Sequence, residues 1–273
     1  TILPIKDLNT QKIAYVKLGD DYNTKFVSTL KKYTDVTEVS ATSIDSLNLK
    51  LKEFSTVIIG YHKADKPWKN NDFTPTELVW LQELAKNNTV ILDIFAKPYS
   101  LLPISNFDDI EGLVVSYQNN DIAQEVSAEL LFGAIESKGK LPVSINDSFQ
   151  VNEGISTIKM NRLGFTSPEN VGMSSEKLAQ IEIIAQKAIR EKMAPGIQVL
   201  VARKGKVIYQ KAFGNYTYDS DTKVTNETIF DIASVHSLFF HCSGILKLLI
   251  LDKSTVAGSL FIVILILFGS LTT

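Results

Sequence analysis

Thr56-Val57-Ile58-Ile59-Gly60-Tyr61 decides the fold of the first part of this 273-residue chain. The run is short, β-branched and apolar enough to be covered on both faces, which is typical of a strand inside a parallel sheet. Similar runs occur before and after it, separated by amphipathic segments of helical length. Strands that alternate with helices in this way imply parallel crossovers. The sequence therefore predicts an α/β fold with an open, doubly wound and mostly parallel sheet.

The predicted elements follow one another closely along this part of the chain. Strands are predicted at residues 13–18, 36–39, 56–61, 89–95 and 112–117, and helices at residues 21–33, 46–54, 74–86 and 121–137. The third helix opens with Thr74-Pro75-Thr76-Glu77. A threonine cap, a proline in the first turn and a glutamate that reaches back to the cap are the expected signals of a helix start.

Composition and charge exclude several classes of function. The formal net charge of −2 gives no electrostatic basis for binding nucleic acid. The single cysteine, Cys242, excludes an intrachain disulfide and a cysteine-based metal cluster. The histidines are scattered and the glycine-rich phosphate-binding motifs are missing, so neither a metal site nor a nucleotide cofactor is predicted.

Candidate binding residues lie in two loops that follow predicted strands. Ligands of open α/β sheets meet the loops at the carboxyl ends of the strands. One such loop, residues 61–68, contains His62 and Asp65, and another, residues 96–99, contains Lys97 and Tyr99. His62 and Asp65 are interpretable as an acid–base pair or as polar loop residues, and the residues around them favour the second interpretation.

A family resemblance enters near the end of this domain. Leu130-Leu131-Phe132-Gly133-Ala134-Ile135, followed by Lys138-Gly139-Lys140-Leu141-Pro142-Val143-Ser144, resembles the closing signature of the C-terminal domain of family 3 glycoside hydrolases. The likeness covers roughly residues 1–155 and is greatest to the β-N-acetylhexosaminidase branch. It implies hydrolysis of terminal N-acetylglucosamine residues in glycans.

The same resemblance places the catalytic groups outside this chain. In that family the carboxylate nucleophile lies on an N-terminal barrel, and in this branch a histidine–aspartate acid–base pair lies on a barrel loop as well. The resemblance therefore implies that the barrel of the parent polypeptide is the partner of this domain. A retaining glycosidase needs two catalytic groups that flank the scissile bond, and no such pair is predicted here.

The second half of the chain predicts a smaller α+β domain. After a linker over residues 151–170, a long amphipathic helix is predicted from Ser175 to about Lys192, and Ala194-Pro195-Gly196 ends it. Residues 197–202 and 207–213 then predict a hairpin around Lys204-Gly205. This order, followed by Thr228-Ile229-Phe230-Asp231-Ile232-Ala233-Ser234, is similar to the opening of class C β-lactamases and their esterase and peptidase relatives. The predicted partial domain spans residues 171–237.

By that resemblance, Ser234 occupies the position of the catalytic nucleophile. A Ser-x-x-Lys site needs a lysine three residues later, on the same helix face, to take the hydroxyl proton. Ser237 stands there instead, and a second hydroxyl cannot act as a base near neutral pH. His236 lies on another helix face, and His241 lies about 10 Å farther along the axis. Ser234 is therefore interpreted as a vestigial nucleophile position. The alternatives are a helix cap and an esterase that uses an unconventional base.

Residues 238–273 form an apolar tail whose origin the sequence leaves open. The segment from Thr255 to Leu271 contains no charge. Its seventeen residues are the smallest number that can cross a bilayer as a helix. The tail is either a membrane anchor or a stretch of out-of-frame residues without a selected function.

Two classes of function remain after these steps. The first is a fragment of a carbohydrate-active hydrolase, a β-N-acetylhexosaminidase fused to a β-lactamase-like serine hydrolase, with neither active site complete. The second is a non-catalytic, membrane-tethered protein whose α/β domain binds a partner through its strand-end loops. Fusions of the first kind act on wall-derived sugars, so the resemblance implies a location outside the cytoplasm, in the periplasm or cell envelope.

Overall fold

The computed structural model describes residues 2–64 and 72–230, together with the backbone of a strand at residues 260–267. The chain divides into two compact units, Thr1–Arg162 and Leu163–Thr273. Residues 151–162, which the sequence predicted to begin a linker, lie within the first unit. Asp65, Ser234 and Ser237 lie outside the described residues.

The first unit contains a five-stranded parallel sheet with the strand order β2-β1-β3-β4-β5. This arrangement confirms the predicted α/β fold with a doubly wound parallel sheet. Its elements are β1 (Ile13–Gly19), α1 (Thr24–Leu30), β2 (Val36–Glu38), α2 (Ile44–Leu51), β3 (Thr56–His62), α3 (Pro75–Asn87), β4 (Val90–Phe95), β5 (Ile110–Val115) and α4 (Asp121–Leu131).

Strand β3 lies in the middle of this sheet and separates two hydrophobic cores. All seven of its residues are buried, and it pairs with both β1 and β4. Val57, Ile59 and Tyr61 belong to the core that also contains Leu residues of α2 and α3. Ile58 belongs to the core on the other face, with Phe and Leu residues of α1 and α4. Each fully buried aliphatic side chain contributes about 1.5–3 kcal/mol to folding, so both faces contribute to the stability of the unit.

Helix α4 ends earlier than the sequence predicted, at Leu131 instead of Ser137. The cause is Gly133, whose φ of +68° takes the chain into the left-handed region. A Cβ at Gly133 would stand 2.8 Å from side-chain carbons of both Pro4 and Met160. The Arg162 guanidinium connects the N-terminal residues to the end of α4, because it donates to the carbonyl oxygens of Ile5 and Phe132 at 2.7 Å each. The Phe-Gly pair is therefore fixed by backbone conformation and by close packing.

Glu77 connects the end of β1 to the start of α3. Its Oε2 accepts from the backbone N–H and hydroxyl of Thr74 at 2.8 and 2.9 Å, which completes the predicted capping box. Its Oε1 accepts from the backbone N–H of Gly19 at 2.9 Å. The Lys63 ammonium lies 3.8 Å from carboxylate oxygens of both Glu77 and Asp20. The Glu77 carboxylate therefore has a structural role.

The second unit is built on a hairpin covered by one helix. Its elements are β6 (Gly164–Phe165), α5 (Ser175–Arg190), β7 (Gly196–Arg203), β8 (Lys206–Gly214) and β9 (Leu260–Leu267). Their sheet has the order β6-β8-β7-β9 and is mixed, because β6 runs parallel to β8 while the other pairs are antiparallel. Leu178 and Ala185 of α5 are buried in one cluster with valines of β7. The hairpin turns at Lys204 and Gly205, both with positive φ, as a two-residue primed turn requires.

Part of the apolar tail belongs to this second sheet. Residues 260–267 form β9, which pairs antiparallel with β7 from Gly196 opposite Leu267 to Arg203 opposite Leu260. Across the described part of the chain, no helix has the length and apolarity needed to span a bilayer. The rest of the segment from Thr255 to Leu271 lies outside the described residues.

Replacing Gly133 by alanine is expected to destabilise the first unit by about 1–3 kcal/mol. The reason is the cost of placing a Cβ in the left-handed region, increased by its contacts with Pro4 and Met160. Gly139→Ala is the matched control, because a Cβ there meets only the Ser137 hydroxyl at 3.7 Å. Urea unfolding followed by tryptophan fluorescence reports on this unit selectively, since both tryptophans, Trp68 and Trp80, belong to it. Equal losses in the two variants would contradict the packing role of Gly133.

Replacing Glu77 by alanine is expected to lower the free energy of unfolding of the same unit by about 1–2 kcal/mol. The substitution removes a helix cap and leaves the Gly19 N–H without its carboxylate acceptor. Glu83→Ala, on the same helix, removes only an exposed pair with Lys86 and should cost less than about 0.5 kcal/mol. The same urea titration measures both variants. A loss at Glu77 no larger than that at Glu83 would show that the carboxylate does not connect β1 to α3.

Candidate functional site

The carboxyl ends of β1, β3 and β4 form the edge of the sheet where the sequence predicted binding residues. His62, predicted in a loop, is the last residue of β3 and is fully buried. Its Nε2 lies 2.9 Å from the Tyr15 hydroxyl, and its Nδ1 lies 2.9 Å from Asn119 Oδ1. The imidazole stacks on Phe95 with 4.4 Å between ring centroids. His62 is therefore enclosed by the protein on all sides.

The hydrogen-bond network assigns a neutral imidazole to His62. Asn23 Nδ2 donates to the Tyr15 hydroxyl at 3.1 Å, so this hydroxyl is placed to donate in turn to His62 Nε2. His62 Nδ1–H then donates to Asn119 Oδ1, which has no proton to give. Burial lowers the pKa of His62 to about 4, although the hydrogen bond to Asn119 acts in the opposite direction. The side chain is therefore a neutral structural group at neutral pH.

Asn119 extends this network to the loop that follows β1. Its Nδ2 donates to Asp21 Oδ2 at 3.0 Å and to the Tyr22 carbonyl at 2.9 Å. Gln124 of α4 donates to Asn119 Oδ1 at 2.7 Å and accepts from the Phe26 backbone N–H at 2.9 Å. These contacts join residues nearly a hundred positions apart in the sequence. His62 was the one member of this network that the sequence singled out, because none of the other residues forms a local motif.

Several exposed side chains at this edge are aromatic or cationic, and Asp20 is exposed there as well. Lys97 is exposed and Tyr99 is 49% exposed, in the turn after β4. Tyr22 after β1 and Tyr117 after β5 are also exposed, at 43% and 38%. The structure thus separates the predicted residues: it places Lys97 and Tyr99 at the surface and His62 in the interior. Such a surface can contact a ligand or a protein through ring faces and one ammonium group.

The carboxylates near this edge serve internal contacts. Glu77 accepts from three protein donors and lies beside the Lys63 ammonium, which is also near Asp20. Within residues 2–64 and 72–230, no group of three or more His, Cys, Asp or Glu side chains is arranged to hold a metal ion. The described groups thus supply hydrogen bonding and structural support at this edge.

The second unit fixes the chain just before the predicted nucleophile position. Gln198 of β7 donates through Nε2 to the carbonyl oxygens of Thr225 and Thr228, at 2.5 and 3.1 Å. The Thr225 N–H donates to the Thr228 hydroxyl at 2.9 Å, and Val224 is buried beside them. The sheet therefore holds residues 224–228, and Ser234 follows six residues later.

Comparisons with known proteins find a similar solved structure and a family model that matches part of the chain. A search of the curated proteins finds no match to this chain. A solved structure, "Beta-glucoside phosphorylase BglX bound to 2FGlc", is similar with a TM-score of 0.41 and 18% sequence identity. The alignment covers 53% of this chain and 28% of that one, so this chain spans under a third of the length of that protein.

The second unit also matches a protein-family model. The model described as Beta-lactamase matches residues 185–237, a segment that contains β7, β8, Ser234 and Ser237. The sequence resemblance predicted a likeness to this family in the partial domain at residues 171–237. Residues 185–237 are thus similar to β-lactamases, which are hydrolases, and the match confirms that part of the resemblance.

Proposed function

We propose that this chain is part of a carbohydrate-active hydrolase in which a family 3 β-N-acetylhexosaminidase is joined to a β-lactamase-like serine hydrolase. The family match over residues 185–237 supports the second half of the proposal. The motif around Phe132-Gly133, with the close packing that requires this glycine, supports the first half. The substrates proposed for the parent protein are glycans that end in N-acetylglucosamine. The proposed location of the protein is outside the cytoplasm.

In this proposal the first unit is a support for the glycosidase barrel of the parent polypeptide. Hydrolysis with retention needs two catalytic groups, one on either side of the scissile bond. Glu77 is already bonded to backbone N–H groups, and His62 has no exposed surface. Lys97, Tyr99 and Asp65 are the proposed contact residues toward the barrel or its glycan, and the buried His62 supports this edge of the sheet through Tyr15 and Asn119.

The observation that carries the proposed inactivity is Ser237 in place of a lysine. A serine hydroxyl becomes an effective nucleophile only when a neighbouring base takes its proton. At the position three residues after Ser234, where the amine of a Ser-x-x-Lys site lies, the chain has a second hydroxyl. The proposal is therefore that this chain alone turns over neither a glycoside nor an ester or β-lactam.

Turnover assays test this proposal directly. The purified chain is incubated with p-nitrophenyl N-acetyl-β-glucosaminide, with nitrocefin and with p-nitrophenyl acetate, beside the Ser234→Ala variant. All three rates should equal those of the variant, because no base activates the hydroxyl. A nitrocefin or ester rate that is lost in Ser234→Ala would refute the inactivity of the serine site. Glycoside turnover by the chain alone would refute the supporting role of the first unit.

The origin of the tail is tested by the DNA sequence around codon 236. The proposed ancestry expects that another reading frame encodes a lysine three residues after Ser234, followed by the rest of a serine hydrolase. If all three frames lack such a continuation, the tail is not an out-of-frame extension of that ancestor. The proposed likeness of residues 185–237 to β-lactamases would be unaffected by that result.

A further inference from the structure

Asp93 is a fully buried carboxyl group in the middle of β4. Its Oδ1 forms a hydrogen bond with the Ser116 hydroxyl at 2.7 Å, and its Oδ2 forms one with the Ser127 hydroxyl. Ser116 follows β5 and Ser127 lies on α4, so the carboxyl group connects three elements. Its hydrogen-bond partners among the described residues are neutral. A buried carboxylate without a cation is costly, so the folded unit favours the protonated acid.

His62 lies on the same face of the sheet as Asp93. In the parallel register Gly60 is opposite Asp93, and His62 is opposite Phe95, on which its ring stacks. The partners of His62, the Tyr15 hydroxyl and the Asn119 amide, are also neutral. Burial therefore disfavours the charged form of both side chains. The disfavoured charge is negative for Asp93 and positive for His62.

The other titratable and polar groups around this face leave that conclusion unchanged. From β1, Tyr15 faces both groups, and burial together with the charge of Asp93 raises the pKa of Tyr15, so its hydroxyl stays neutral. Helix α1 contributes Phe26 beside His62. Helix α4 contributes the neutral Gln124 and Ser127, and its buried carboxylate Glu129 acts on Lys32 and Tyr33. Two charged groups, Lys17 and Asp21, act on the pKa of His62 in opposite directions.

The effects of the two groups on stability have opposite signs. Burial raises the pKa of Asp93 from 3.8 to about 7. Between pH 3.8 and about 7, the folded unit therefore binds more protons at this site than the unfolded chain does. The free energy of unfolding falls as the pH rises through this range. Burial lowers the pKa of His62 from 6.5 to about 4. Here the unfolded chain binds the extra proton, so stability rises with pH between about 4 and 6.5.

We propose that His62 and Asp93 form a compensating pair, which keeps the stability of the first unit nearly constant through the weakly acidic range. Loss of either group exposes the pH dependence of the other. Loss of both restores a nearly constant stability. The pair thus protects the fold against changes in the pH of its surroundings, independently of any catalytic activity.

Urea unfolding of the full chain, followed by tryptophan fluorescence at pH 5, 5.5, 6 and 6.5, tests the proposal. In Asp93→Asn, the folded-to-unfolded equilibrium constant should rise by up to about tenfold per pH unit. In His62→Gln, it should fall by up to about tenfold per pH unit. The wild type and the double variant should change by less than about threefold over the same unit. Asp109→Asn, at an exposed carboxylate, is the matched control and should follow the wild type.

A wild-type pH profile that persists unchanged in Asp93→Asn would overturn the proposal. If His62→Gln does not fold, the proton balance of the wild type decides instead. Calorimetric unfolding at pH 5.5 in two buffers of different ionisation enthalpy gives the number of protons exchanged. The compensating pair predicts the release of about one proton more on unfolding of the wild type than of Asp93→Asn. Equal proton numbers for the two proteins would contradict it.

Discussion

The first unit depends on the burial of β3 between two strands and two cores. A strand covered on both faces cannot direct any side chain to water, so every residue from Thr56 to His62 must be apolar or internally hydrogen-bonded. The six residues from Thr56 to Tyr61 are buried with apolar or hydroxyl-bearing side chains, or have no side chain. His62, the exception, meets this demand through Tyr15 and Asn119, which also connect β1 and the residues before α4. The same constraint explains why Asp93 on the adjacent strand needs two hydroxyl donors.

The regular elements were predictable because their signals are local. Short, β-branched apolar runs predicted the strands of the first unit, and residues at helical spacing predicted its helices. Thr74 and Glu77 predicted the capping box. The end of α4 was predicted too late, because the helical pattern continues beyond Gly133 while the backbone there turns left-handed. A glycine next to a buried phenylalanine was the available signal.

The long-range polar contacts were not predictable from those patterns. His62 was assigned to a loop because the apolar run ends before it, and its partner Asn119 lies fifty-seven residues away. Asp93 was missed, although a lone carboxylate inside Val-Ile-Leu-Asp-Ile-Phe is a visible conflict with a buried strand. Such a conflict is resolved only by neighbours in space, here Ser116 and Ser127. The exposed Lys97 and Tyr99 remain predictions as contact residues.

In the second unit, the proposed loss of serine-hydrolase activity depends on one position of the sequence. The hairpin and Gln198 hold residues 225–228 in place before Ser234, yet the position three residues after that serine offers no base. Intact-mass spectrometry after incubation with a fluorophosphonate tests this central point most directly. We expect the wild type to keep its own unmodified mass, just as Ser234→Ala keeps its own. A stoichiometric adduct on the wild type that is lost in Ser234→Ala would contradict it.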